Sequence, residues 1–310
     1  MNISNKLREI NIGNKAPFEV ILKRNGNFES RHLVHVVISD KKGRILISAG
    51  NPDFQTFIRS SLKPFQVLPL LSSGTAESFD IREKGIAISC GSHTGTKMHA
   101  REVFKILWNS NIDVDYLKCP IPQNGSSKLQ HNCSGKHASF LATCKKMNWP
   151  LESYLDLSHP LQIEINRRVA EILSLPPEEL ISATDDCGAP TLHLRLSQMA
   201  CLYAQLGSSQ NPEFAQIIRS MLSNPLLVSG EGKFDSELMK VSHGQLISKG
   251  GAEGIQCISR IADGIGLAIK VEDGAKRAKH AVAIDILKKL DWITPTGLDQ
   301  LERITIKLKP

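Results

Sequence analysis

The strand-like segments of this chain lie at its two ends, and a long stretch of helical pattern separates them. Short β-rich runs occupy 18–22, 32–38 and 44–47 near the start, and 254–260 and 266–272 near the end. Between them, apolar residues recur mainly at helical spacing. The pattern predicts a mixed α/β fold of the α+β type, in which N- and C-terminal strands share one antiparallel sheet and the helices are inserted between them.

The chain is predicted to form one two-lobed unit over 1–310. The sheet lobe is expected at about 15–60 and 245–310, and the mainly helical lobe at about 61–244. With 310 residues and 41% hydrophobic content, the chain is long enough to bury a large core.

Five local elements follow from the same pattern. A tight turn is predicted at 40–43, a buried strand at 85–89 and a helix at 275–290. Another helix is expected to begin at Pro160 with Ser158 as its cap, and a third to end at Gly207.

Composition and charge indicate in which cellular compartment the protein works and which partners it does not bind. The first 17 residues lack the apolar stretch of a signal peptide, and no segment has the length of a membrane span. The seven cysteines are scattered, which favours reduced thiols over a disulfide framework. We therefore expect a cytoplasmic protein that does not bind a membrane. The net charge of +7 is spread along the chain, so nucleic-acid binding is not expected.

An S-x-x-K tetrad, Ser60 to Lys63, precedes Pro64 and an apolar run. If it opens a helix, Ser60 and Lys63 share a face, as a nucleophile and its base require. The serine needs a base to take its proton, and the lysine must be neutral to act as one. The alternative is a helix cap with a solvated lysine. A second tetrad at 39–42, placed in an exposed turn, shows that the spacing alone is weak evidence.

Two further segments combine glycines with reactive side chains. The segment 91–95 reads Gly-Ser-His-Thr-Gly, and its Ser92 could act as a second hydroxyl or belong to a polar turn. The segment 249–254 begins at Lys249, and its small residues would let a ligand approach the backbone closely. An ordinary surface lysine is the alternative at this position.

Cysteines occur in two polar segments, 131–137 and 184–190. Cys133 and Lys136 lie three residues apart, and Cys187 is flanked by carboxylates. Two thiolates could hold zinc, but the usual paired cysteine spacings are missing. Buried free thiols are the alternative.

Six segments, taken in order, resemble the Rhizobium-type L-asparaginases, the asparaginase II family. The matching segments are 59–70, 89–95, 119–141, 185–191, 249–254 and 264–274. The resemblance implies a fold similar to serine β-lactamases and S-x-x-K glutaminases, and hydrolysis of L-asparagine to L-aspartate and ammonia. It also implies a homodimer acting on a small amino-acid substrate.

The resemblance assigns roles to particular residues of this chain. The implied catalytic pairs are Ser60 with Lys63 and Ser92 with Lys249. The implied substrate-binding residues are Arg59, His93, Gly250 and Gly251. The implied zinc ligands, which assist substrate binding, are Cys133, Lys136 and Cys187, supported by Asp185.

The chain departs from the family pattern at three positions. Relatives often have Glu where Thr96 stands and Gly where Asp186 stands, and Gly250 replaces the middle threonine of a K-T-G motif. Three alternatives therefore stay open: a penicillin-recognising serine hydrolase, a glutaminase, and a non-catalytic zinc or amino-acid binding protein. Against the first, the only Ser-x-Asn, at 209–211, lies in a polar segment.

Overall fold

The computed structural model describes residues 16–208 and 211–305. The chain divides into two compact units. Of the described residues, the first comprises 16–61, 194–208 and 232–305, and the second comprises 62–193 and 211–231. None of the described helices combines the length and the apolar character that crossing a membrane requires. Of the Ser-x-Asn at 209–211, the first two residues lie outside the described part of the chain.

The first unit is built on a six-stranded sheet. Its strands are β1 (Phe18–Arg24), β2 (Asn27–Asp40), β3 (Ile45–Ala49), β7 (Leu246–Gly250), β8 (Ile255–Arg260) and β9 (Ile265–Val271). They lie in the order β1-β2-β9-β8-β7, with β3 paired to β2. All these pairings are antiparallel, and β2 pairs with β9 from Val34↔Val271 to Asp40↔Ile265. The expected union of N- and C-terminal strands in one sheet is confirmed, as is the α+β class.

Helices cover both faces of this sheet. Helix α8 (Leu196–Gly207) packs against β9, β2 and β8. The apolar side chains that alternate along β9 from Ile265 to Val271 join a core with three further helices. These are α11 (Phe234–Val241), α12 (Lys276–Lys289) and α13 (Pro295–Thr305). Because both faces are covered, every residue of β9 is buried.

The second unit is mainly helical. Its helices are α1 (Lys63–Gln66), α2 (Leu68–Ser72), α3 (Thr75–Ser78), α4 (Glu83–Ser89), α5 (Lys97–Asn109), α6 (Ser134–Met147), α7 (Pro160–Leu173), α9 (Pro212–Ser223) and α10 (Pro225–Val228). Helix α4 is the centre, contacted by α5, α6, α9 and α10. A hairpin of β5 (Ile181–Thr184) and β6 (Pro190–Arg195) interrupts the helices, and the short β4 (Gln55–Phe57) precedes them in the chain.

The structure confirms some local predictions and overturns others. The turn at 40–43 and the helix near 275–290 are present. The predicted strand at 85–89 is wrong, because these residues belong to helix α4; a short apolar run has no period that separates a buried strand from a buried helix. The cap before Pro160 is His159, whose ring accepts the Leu161 N–H, and not Ser158.

Gly266 should be among the least replaceable residues of the sheet, since a Cβ there would lie 1.9 Å from the Ala200 carbonyl oxygen. Gly266→Ala is expected to cost about 3 kcal/mol of unfolding free energy in urea titrations, because α8 must move away from β9. Gly232→Ala is the control: its Cβ would meet nothing within 4 Å, so only its left-handed backbone costs about 1 kcal/mol. Equal losses in the two variants would contradict the steric explanation.

Candidate active site

The S-x-x-K segment does not open a single α-helix. Residues Arg59–Leu62 form a 3-10 turn, and Lys63 begins helix α1 with Pro64 in its first turn. Arg59 has a left-handed backbone with φ of 53°, a conformation that a side chain makes costly. The chain passes from the first unit to the second after Ser61, so Ser60 and Lys63 belong to different units.

In the first unit, the residue next to Ser60 is tied to the strand that carries Lys249. The Ser61 hydroxyl donates to the Lys249 carbonyl oxygen at 2.8 Å, and the Tyr203 hydroxyl donates to the Ser61 carbonyl oxygen at the same distance. A Cβ on Gly251 would lie 2.9 Å from the Ile58 carbonyl oxygen. Gly251 therefore has a packing reason to be glycine, whatever it contributes to substrate binding.

Lys249 is fully buried at the end of β7, where its Nζ donates to the Gly250 carbonyl oxygen at 2.6 Å. Asp235, from helix α11, accepts the Gly250 N–H at 2.9 Å. A carboxylate thus supports the residue that follows the buried amine. Nothing in the sequence pattern had marked Asp235, because it lies fourteen residues before Lys249 and belongs to no motif.

In the second unit, Lys63 is buried at the meeting point of two loops. Its Nζ donates to the Ser92 hydroxyl at 3.0 Å, to the Asn132 carbonyl oxygen at 3.1 Å, and to the Gly91 carbonyl oxygen. Three acceptors match the three N–H bonds of an ammonium group. The structure therefore pairs Lys63 with Ser92, whereas the resemblance implies Ser60 as the partner of Lys63 and Lys249 as the partner of Ser92.

His93 organises the loop that carries Ser92. Its Nδ1 accepts the Gly95 N–H at 3.2 Å, so its Nε2 carries the proton and donates to the Ser134 hydroxyl at 3.2 Å. The ring stacks on His99 with centroids 4.8 Å apart. Burial, and then the neighbouring His99, hold the pKa of His93 well below its usual value. His93 is therefore a neutral, loop-forming histidine at neutral pH.

The predicted zinc ligands lie together in the second unit, and all three are buried. The thiols of Cys133 and Cys187 are hydrogen-bond partners, and Lys136 Nζ donates to Cys187 Sγ at 3.2 Å. The hydrogen bond from Cys187 lowers the pKa of Cys133 although burial opposes it, whereas the same bond raises the pKa of Cys187. The Asp185 carboxylate attracts the Lys136 ammonium group.

This donor set suits zinc in its chemistry. Two thiol sulfurs, one of them inclined to ionise, are preferred zinc donors, and a lysine amine can join them once it is neutral. Within residues 16–208 and 211–305, no three His, Cys, Asp or Glu side chains group as a metal site would require. The predicted site differs from such a group in having the Lys136 amine as its third ligand.

The structure gathers the predicted residues into three local groups. The first unit contains Ser60, Lys249, Gly250 and Gly251, and also Arg59. The second contains Lys63, Ser92 and His93, and separately the Cys133, Lys136, Cys187 and Asp185 group. Sequence reasoning missed Ser61, Asp235 and the Asn132 carbonyl; the first two act through hydrogen bonds between segments distant in the chain.

Comparison with known proteins identifies the class of this chain. A family model described as L-asparaginase II matches residues 20–309. No curated protein matches the chain. The chain therefore belongs to the L-asparaginase II family, and it is an amidohydrolase with an L-asparaginase-like activity. The α+β architecture agrees with this assignment, while the likeness to serine β-lactamases stays a prediction.

Neutral His93 predicts an acid-sensitive fold. Its folded-state pKa is depressed, so the unfolded chain binds the proton first and stability is lost as the pH falls below about 6.5, by up to about 1.4 kcal/mol per pH unit. His93→Asn, whose amide oxygen can still accept the Gly95 N–H, should lower that slope by the contribution of one proton in unfolding free energies measured between about pH 6.5 and 5. The rest of the slope should remain, because the pKa values of the buried His137 and His280 are also depressed by burial. The exposed His243→Asn is the control. An unchanged slope in His93→Asn would refute the assignment.

Proposed function

We propose that the protein hydrolyses the side-chain amide of L-asparagine to L-aspartate and ammonia by covalent serine catalysis. Membership of the L-asparaginase II family supplies the reaction class. The observation that carries the serine–lysine chemistry is the 3.0 Å hydrogen bond between the buried Lys63 amine and the Ser92 hydroxyl. A serine hydroxyl reacts only when a neighbouring base can take its proton, and a buried lysine is such a base when neutral.

In the proposed first step, Lys63 has given up one of its three N–H protons to solvent, and the neutral amine takes the hydroxyl proton as the Ser60 oxygen attacks the amide carbon. Ser92, hydrogen-bonded to Lys63, passes protons onward, and backbone N–H groups stabilise the oxyanion. The C–N bond then breaks, and the Lys249 ammonium group gives a proton to the departing ammonia. Water next attacks the resulting ester and gives one proton to the now neutral Lys249, while Lys63 returns its proton to the departing Ser60 oxygen. Aspartate is released, and the Ser60 hydroxyl, neutral Lys63 and the Lys249 ammonium group are restored.

Cys133, Lys136 and Cys187, with Asp185 in support, are the residues we propose to hold zinc. Zinc bound there would supply a fixed positive charge for recognition of polar groups of the amino-acid substrate. Lys136 presently donates to Cys187 Sγ, so binding must release its proton, and binding should weaken as the pH falls.

The nucleophile assignment is tested by replacing each serine. Ser60→Ala should lower the ammonia-release kcat on asparagine by about a thousandfold or more, because no acyl-enzyme forms. Ser92→Ala should retain an acyl-enzyme on Ser60 but form it slowly. Acid quenching followed by peptide mass spectrometry identifies the serine that carries the acyl group. An acyl group on Ser92 of the wild-type protein would reverse the two roles.

Parallel assays separate the alternative substrates. We expect ammonia release from asparagine to exceed release from glutamine at equal concentration, and no labelling by a fluorescent penicillin. Faster turnover of glutamine would make the protein a glutaminase. Tight asparagine binding without ammonia release would favour the non-catalytic alternative.

The zinc site is tested by metal content independently of activity. Wild-type protein dialysed against zinc should retain about one ion per chain, and Cys187→Ser should retain none because one sulfur ligand is lost. Cys201→Ser, which alters a cysteine of the first unit, should behave like wild type. Zinc retention by Cys187→Ser equal to that of the control would remove the proposed site.

A further inference from the structure

A buried carboxylate in the first unit is hydrogen-bonded to both residues that flank Lys249. Asp235 is only 7% exposed. Its Oδ1 accepts hydrogen bonds from the Ser248 hydroxyl at 2.7 Å and Gln256 Nε2 at 2.9 Å, and its Oδ2 accepts the Gly250 N–H at 2.9 Å. The carboxylate therefore bonds to the residues on both sides of Lys249 and to the neighbouring strand. Helix α11 is joined in this way to the ends of β7 and β8.

The positively charged groups around this carboxylate outweigh the cost of burying it. Burial raises the pKa of Asp235, but the attraction of Lys249, the Gly250 hydrogen bond and the attraction of Lys279 outweigh it and lower the pKa. Lys279, from α12, donates to the Gly251 and Ile255 carbonyl oxygens at 3.0 and 2.8 Å. One ionised carboxylate thus attracts two buried amines.

The remaining titratable groups of the first unit near this cluster are neutral or solvent-facing. Burial raises the pKa of Cys257 to about 12, so it stays a thiol, and burial together with Lys279 lowers the pKa of His280 to about 3. Lys276 is exposed. Burial lowers the pKa of Lys279 to about 8, although Asp235 opposes the shift. Asp235 is therefore the negatively charged group among these, and it is bonded to the residues on both sides of Lys249.

We propose that Asp235 is a positioning residue that fixes the Lys249 amine at the end of β7 and holds it in the ammonium form. The inference rests on the proposed function, in which Lys249 gives a proton to departing ammonia. A purely structural Asp235 would need only its three hydrogen bonds. A positioning Asp235 needs its charge as well, since an opposite charge nearby favours the charged form of an amine.

Asp235→Asn separates these two roles because it removes the charge and keeps the shape. Gln256 Oε1 has no hydrogen-bond partner among the described residues, so a rotated Gln256 amide can accept a hydrogen bond from the introduced asparagine side chain. The variant should fold. In the pH profile of kcat/KM, we expect the alkaline limb, where activity falls as the pH rises, to move to lower pH by about one unit or more. We also expect kcat on asparagine at the wild-type optimum to fall by about tenfold, with a smaller change in KM.

Lys279→Gln provides a second arm with the opposite sign. It removes the second amine that Asp235 attracts, together with its repulsion of the Lys249 ammonium group, so the alkaline limb should move to higher pH. Ser248→Ala is the matched control: it deletes one hydrogen bond to Asp235 and leaves the charge, so the limb should stay in place. If either charge variant fails to fold, the other still tests the proposal.

Two results would overturn the proposal: an alkaline limb in Asp235→Asn that coincides with that of wild type, or equal shifts in Asp235→Asn and Ser248→Ala. A limb in Lys279→Gln that moves to lower pH would overturn it as well. Lys249→Met distinguishes this failure from failure of the proposed function. If Lys249→Met keeps wild-type kcat, Lys249 has no catalytic role; if it is inactive while Asp235→Asn keeps the wild-type profile, the function stands and only the role of Asp235 is lost.

Discussion

The contact on which the first unit's candidate residues depend is the hydrogen bond from the Ser61 hydroxyl to the Lys249 carbonyl oxygen. It ties the 3-10 turn that contains Ser60 to the end of β7, and Tyr203 secures the same turn from helix α8. Both groups are buried, so breaking the contact would leave polar atoms without partners at a cost of about 1–3 kcal/mol each. Ser60 and Lys249 are therefore presented by one connected piece of structure, although 189 positions separate them in the sequence.

Buried amines dominate the chemistry of both units, and each is accommodated differently. Lys63 is surrounded by two backbone carbonyls and a hydroxyl, whereas Lys136 faces a sulfur. Lys249 and Lys279 share the Asp235 carboxylate. Burying an unpaired charge is costly, so these partners offset the free-energy cost of burying the amines. The partners also differ in what they permit, because a hydroxyl can exchange a proton with the amine while a backbone carbonyl cannot.

The sequence predicted those parts of the fold whose periodicity is unambiguous. The predicted terminal strands, the turn at 40–43 and the helix near 275–290 carry clear patterns, and the structure has them. Residues 85–89 of helix α4 were predicted as a strand because this buried run is too short for its periodicity to separate a strand from a helix. Motif order led to the family, and the site residues assigned from it stay predictions. Asp235 could not be found in this way: its importance comes from three hydrogen bonds made by tertiary packing, and a lone aspartate early in an amphipathic helix carries no such signal.

The glycines of the site segments show how closely function and packing are combined here. A Cβ on Gly95 would lie 2.3 Å from the Gln130 carbonyl oxygen, and one on Gly135 equally close to that of Ile88. These approaches bring the loop of Ser92 and the start of helix α6 against each other, which places the Gly91 and Asn132 carbonyls where Lys63 can reach both. Glycine-rich segments that resemble substrate-binding loops are thus needed for packing as well. Their glycines let two backbone segments approach closely, and this approach determines which carbonyl groups surround the Lys63 amine.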